Sequence, residues 1–114
     1  MKITDILIEP KYLRSEIEAC ESLQKELHIR LPESPVLSRI QATIAKDEKR
    51  IMDIEEWLEN VPDAFIKDVI QTFRRTGDWS KTNVRIYGYP SYHTCRKAVI
   101  RYLLEKTDFM ERFG

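Results

Sequence analysis

A chain of 114 residues, 42% apolar and 33% charged, has the size of one ordinary domain, or of a small domain with a long helical appendage. Its 3 glycines are too few for a turn-dense β architecture, and no apolar run approaches the roughly 20 residues that a membrane-spanning helix needs. The net charge of zero is a cancellation: residues 1–64 carry 9 Lys/Arg against 14 Asp/Glu, and residues 65–114 carry 10 against 5. Such asymmetry points to a polyanion-binding module beside an acidic, oligomerising or partner-binding one. The start, Met1-Lys2-Ile3-Thr4-Asp5, sets an acid where a signal peptide would be apolar, so a cytoplasmic location is expected.

Pro10 suits the first turn of a helix, where its missing N–H costs nothing. Over residues 10–31 the positions Leu13, Ile17, Cys20, Gln24, Leu27 and Leu31 alternate spacings of four and three, the mark of a heptad seam. Pro32-Glu33-Ser34-Pro35 then interrupts any continuous helix. A second seam follows in Leu37, Ile40, Ile44, Asp47, Ile51, Ile54, Leu58 and Val61. Asp47 is its only polar member, and it either fixes register at some cost in stability or faces solvent where the seam frays. The two helices of similar length and the short link between them favour an antiparallel hairpin. The pattern serves equally an intramolecular hairpin and a homodimer through the N-terminal helices.

Asn60-Val61-Pro62-Asp63 closes this region, with Asp63 as N-cap of a third helix. Phe65, Ile66, Val69, Ile70 and Phe73 form its apolar stripe, and Gly77 supplies the left-handed residue that ends it. Ser80 is a cap for a short fourth helix over residues 81–87 ending at Gly88, and Tyr89-Pro90-Ser91 makes the turn. A fifth helix covers residues 91–106, and residues 107–114 either extend it or fray. The expected architecture is all-α: an N-terminal, coiled-coil-like helical hairpin over residues 1–62, followed by a three-helix helix-turn-helix domain over residues 63–114.

The fifth helix carries the chemistry. At 100° per residue, Cys95, Ala98, Val99, Tyr102 and Leu103 fall on one side and pack inward. The opposite side presents His93, Lys97 and Arg101 at intervals of four, flanked by Arg96 and Ile100. Cations along an exposed helical face meet phosphates, and Arg or Lys donates to guanine edges in the major groove of duplex DNA. Residues near the helix start, Tyr92, His93, Arg96 and Lys97, are the candidate base readers; Arg101, Lys81, Arg85, Arg74 and Arg75 are the candidate phosphate contacts.

Other chemistries find little purchase. Cys20 and Cys95 lie far apart on apolar stripes, where cysteine behaves as a small hydrophobe. His93 and Cys95 make an isolated His-x-Cys pair with no second ligand pair, so no metal is expected. Neither a Gly-rich phosphate loop nor a Ser/His/Asp pattern is present, and neither catalysis nor a cofactor is expected. Trp57 and Trp79 are read as packing anchors.

Three quoted stretches carry a resemblance: residues 54–63, Phe73-Arg74-Arg75-Thr76-Gly77-Asp78-Trp79-Ser80, and Tyr89-Pro90-Ser91 through Arg96-Lys97 and Arg101-Tyr102-Leu103. They resemble the ArpU/RinA-like regulators of phages of Gram-positive bacteria, whose C-terminal domain is similar to the region-four helix-turn-helix of bacterial sigma factors. The resemblance implies a phage or prophage activator of late genes that acts on promoter DNA and touches RNA polymerase. It places Ser91, Arg96, Lys97 and Arg101 on a recognition helix. The sequence departs from such motifs at Val84, where alanine is usual, and at Asn83, in the preceding apolar slot. Two alternatives stay open: a packaging protein similar to a small terminase subunit, and a helical interaction protein that binds no DNA.

Overall fold

A computed structural model describes residues 2–82 and 91–114. Among these residues the chain is all-helical, without strands. Its elements are α1 (Ile3–Arg30), α2 (Val36–Glu59), α3 (Ala64–Thr76), a 3-10 turn (Trp79–Lys81), α4 (Tyr92–Glu105) and α5 (Phe109–Phe113). No described helix is long and apolar enough to cross a membrane. The expected fourth helix over residues 81–87 lies, beyond Thr82, outside the described residues, as do Val84, Arg85 and the Tyr89-Pro90 turn.

The chain divides into two compact units. One holds residues 9–55; the larger one holds residues 1–8 with residues 56–114. This division differs from the boundary expected at residue 62, because the ends of the two long helices carry core residues of the larger unit. Ile3, Ile6 and Leu7, spaced as one helical face, are buried there, and so are Leu58 and Val61. The same trio corrects the expected start of α1. The helix begins at Ile3, and Pro10 lies inside it, buried, not in its first turn. An interior proline costs about 3 kcal/mol. Burying two isoleucines and a leucine returns roughly 1.5–3 kcal/mol each, so helix on both sides of Pro10 is the better solution.

In the unit of residues 9–55, α1 and α2 run antiparallel. Ile17, Ile40, Ile44 and Ile51 form the core, with Leu13, Cys20 and Leu27 packed against it half-buried. The Glu9 carboxylate accepts from Nε and Nη2 of Arg50 at 2.9 and 3.2 Å, Arg14 pairs with Glu55, and the Gln24 amide donates to the Gln41 carbonyl at 2.7 Å. Leu31, expected in the seam, lies just past the last turn of α1 and is exposed.

Of the two readings of Asp47, the structure takes the buried one. The residue is 6% exposed in the isoleucine seam, and its Oδ2 is buried without a hydrogen-bond partner. Glu16 approaches it from α1. A hydrogen bond with Asp47, and then the charge of that carboxylate, push the Glu16 carboxyl above its ordinary value. A carboxyl that binds its proton more tightly in the folded chain adds stability below its unfolded pKa. That contribution is lost as pH rises through the folded pKa. Thermal unfolding of wild type and Glu16→Gln between pH 4 and pH 8 should show the wild type losing stability relative to the variant as pH rises. Parallel profiles would show that Asp47 does not raise the Glu16 carboxyl.

The larger unit is built on α3, the 3-10 turn, α4 and α5, which pack in sequence on one another. Asp63 caps α3 as expected, its Oδ1 accepting from the Ile66 N–H at 3.0 Å. Gly77 ends α3 in the left-handed conformation, φ 70°, its N–H donating to the Phe73 carbonyl at 2.7 Å. Ser80 is not the next cap. The Asp78 carboxylate accepts from both the N–H and the hydroxyl of Ser80, at 2.9 and 2.7 Å, so the helical turn begins at Trp79. Those two hydrogen bonds hold the Asp78 carboxyl below its ordinary value.

The tail neither extends α4 nor frays. Lys106 ends the helix, the Thr107 hydroxyl donates back to the Leu103 carbonyl at 2.7 Å, and the chain re-forms as α5. Phe109 and Phe113 are buried, with the Trp57 ring 4.9 Å from the first and edge-on to the second at 6.4 Å. The Trp57 indole N–H donates to Asp108 at 3.2 Å. Apolar burial of two phenylalanines, absent from the helical stripe, ties down these last residues.

Candidate nucleic-acid interface

α4 is 14 residues long, about 21 Å at 1.5 Å per residue. Its inner side is anchored by Cys95, Val99 and Leu103, all fully buried, with Tyr102 half-buried beside them. The side chains four apart on the other side, His93, Lys97 and Arg101, are exposed, and so is Arg96. The helical phase read from the sequence agrees with the burial of these eight residues. Ile100, expected outward, is half-buried, and Ala98, expected inward, is half-buried as well and lines a shallow surface depression with Thr94, Lys97 and Arg101. The i, i+4, i+7 spacing of Thr94, Ala98 and Arg101 was the signal for this second strip, and Thr94 had not been singled out.

Ser91 stands at the N-cap of α4 with extended backbone and is half-buried, its hydroxyl 3.4 Å from that of Thr94. Tyr92, also half-buried, lays its ring against the exposed His93 imidazole, centroids 4.0 Å apart and tilted by 32°. That contact holds the imidazole at the first turn of the helix, beside backbone N–H groups without intrahelical partners. Arg101 meets Glu105 at 3.8 Å on the open surface, a screened pair of small worth that a phosphate can displace.

No known protein family, curated protein or solved structure matches the chain.

The remaining predicted cations sit on the elements packed against α4. Arg74 and Arg75 occupy the last turn of α3, half-buried and exposed respectively, and Lys81 is exposed at the end of the 3-10 turn. Arg85 lies outside the described residues. Asp68 and Glu105 are the acids carried by α3 and α4. Trp79 stacks on Phe73, centroids 4.0 Å and planes 11° apart, and fixes the 3-10 turn to α3. The cations of α3, the turn and α4 are thus displayed by a packed scaffold, as a rigid contact surface requires. Both cysteines are free thiols, Cys95 buried and Cys20 half-buried. Among the described residues no three His, Cys, Asp or Glu side chains are grouped to hold a metal ion.

Proposed function

We propose that the larger unit binds duplex DNA, with α4 as the recognition helix of a helix-turn-helix and α3 and the 3-10 turn as its support. One observation carries the reading: α4 buries Cys95, Val99 and Leu103 completely while His93, Arg96, Lys97 and Arg101 all face water. A helix of this length enters a major groove about 12 Å wide with its first turns against base edges. Ser91, Tyr92, His93, Arg96 and Lys97 then read bases, and Arg101, Lys81, Arg74 and Arg75 meet phosphates. The protein acts as a phage or prophage transcription regulator of the kind its motifs resemble, with RNA polymerase as a second partner.

Duplex-DNA affinity measured across a salt series tests this. Each phosphate contact adds about 0.9 to the slope of log affinity against log salt. Lys97→Ala and Arg101→Ala should each weaken binding to all sequences and flatten that slope by about one contact. Arg96→Ala should cost about 1–3 kcal/mol and relax preference at one base position in sequences selected from a random pool. No measurable binding at low salt overturns the reading.

A further inference from the structure

The outer surface of α4 is not flat. Thr94, Lys97, Ala98 and Arg101 line a shallow depression, and at i, i+3, i+4 and i+7 they are the four corners of one hole on a helix surface. Its two long edges differ in chemistry. Lys97 and Arg101, both exposed, make one edge cationic. Thr94 and Ala98, both half-buried, make the other. Ala98 has only a methyl group to offer. Thr94 has a hydroxyl and a methyl, but the hydroxyl lies 3.4 Å from that of Ser91 and is drawn back toward the helix start. What Thr94 has left for an outside partner is its γ-methyl group.

Two methyl groups one turn apart, facing two cations, fit a small apolar group carried on a polyanion. Duplex DNA displays one such group in its major groove, the C5 methyl of thymine, and the methyl groups of Ala and Thr make apolar contact with it. That methyl stands beside the phosphates of its own strand. With Thr94 and Ala98 on it, Lys97 and Arg101 are left beside a neighbouring base edge and a phosphate, the roles given them above.

We propose that Thr94 and Ala98 read a thymine, their methyl groups packing on its C5 methyl. The inference rests on the DNA-binding reading of α4 and adds to it a specificity determinant that no cation supplies.

The test uses the full chain and a duplex selected from a random pool, in which each thymine in turn is replaced by deoxyuridine. The replacement removes one methyl group and leaves the hydrogen-bonding edge unchanged. The expected result is a thymine whose replacement weakens binding about 4-fold, the worth of burying one methyl group. Thr94→Ser lacks the γ-methyl, so it should bind the thymine duplex more weakly and show less than a ~2-fold difference between thymine and uracil. Thr94→Val keeps that methyl and should keep the full difference. Circular dichroism should give both variants the helical content of the wild type. Indifference to uracil at every position, or a Thr94→Ser variant that discriminates like the wild type, overturns the thymine contact and leaves DNA binding by α4 standing. Discrimination kept by Thr94→Ser and lost by Thr94→Val would assign the contact to the hydroxyl, and overturns it as well. Absence of duplex binding at low salt overturns both readings together.

Discussion

Phe73→Ala should destabilise the larger unit by about 3–5 kcal/mol, the range for removing a buried aromatic ring from a packed core. Phe73 is 1% exposed, stacks face to face on Trp79, and its carbonyl receives the Gly77 N–H that closes α3. Truncation leaves a cavity under the 3-10 turn and removes the surface that holds Trp79. Small domains have only about 5–15 kcal/mol of total stability, so a loss of this size populates unfolded chains at ambient temperature. Urea denaturation followed by tryptophan fluorescence measures it, since Trp57 and Trp79 both lie in this unit. A cost under ~1 kcal/mol would mean that Trp79 and the turn are not anchored through Phe73. DNA affinity of the variant should fall with the folded fraction, whereas Lys97→Ala and Arg101→Ala lower affinity in a fully folded protein.

The opposite sign is expected at Asp47. Asp47→Leu should stabilise the two-helix unit by about 1–3 kcal/mol, although it replaces a residue that is almost wholly buried. The native carboxylate sits between Ile44 and Ile51 in the seam with its Oδ2 unpartnered, so that oxygen carries desolvation cost without a matching hydrogen bond. Leucine completes the isoleucine run and removes the acid that crowds Glu16. Hydrogen exchange of the α1 and α2 amides, measured at low micromolar concentration, reads the change: protection should rise by roughly one to two orders of magnitude. Unchanged or reduced protection would show that Asp47 is satisfied in solution. A polar residue in a helical seam trades stability for a defined register or partner number. The leucine variant is accordingly expected to associate more promiscuously than the wild type at high concentration.

These two positions frame what could be read directly. The cationic face of α4 was legible because a helix of 3.6 residues per turn converts spacing into direction: once residues 91–106 are helical, Cys95, Val99 and Leu103 must oppose Lys97 and Arg101. The caps of α3 were legible for a similarly local reason. Asp63 and Gly77 act on backbone groups three or four residues away, and no distant contact competes with them. Asp78 was missed because Asp and Ser are both good caps, and only the hydrogen-bond geometry decides which of two neighbours accepts.

From local patterning alone, then, came the all-helical class, the two heptad seams, the stop and start signals around residues 60–77, and the outward direction of His93, Arg96, Lys97 and Arg101. The tertiary structure alone decided the features in which local preference lost to remote burial. Pro10 sits inside α1 because Ile3, Ile6 and Leu7 gain more from the core than the proline costs the helix. Phe109 and Phe113 fold back because the Trp57 ring, 52 residues before Phe109 in the chain, offers them apolar surface. Asp47 turns inward because the isoleucines on either side of it define the buried face, and a single carboxylate has too little solvation energy at stake to rotate a 24-residue helix.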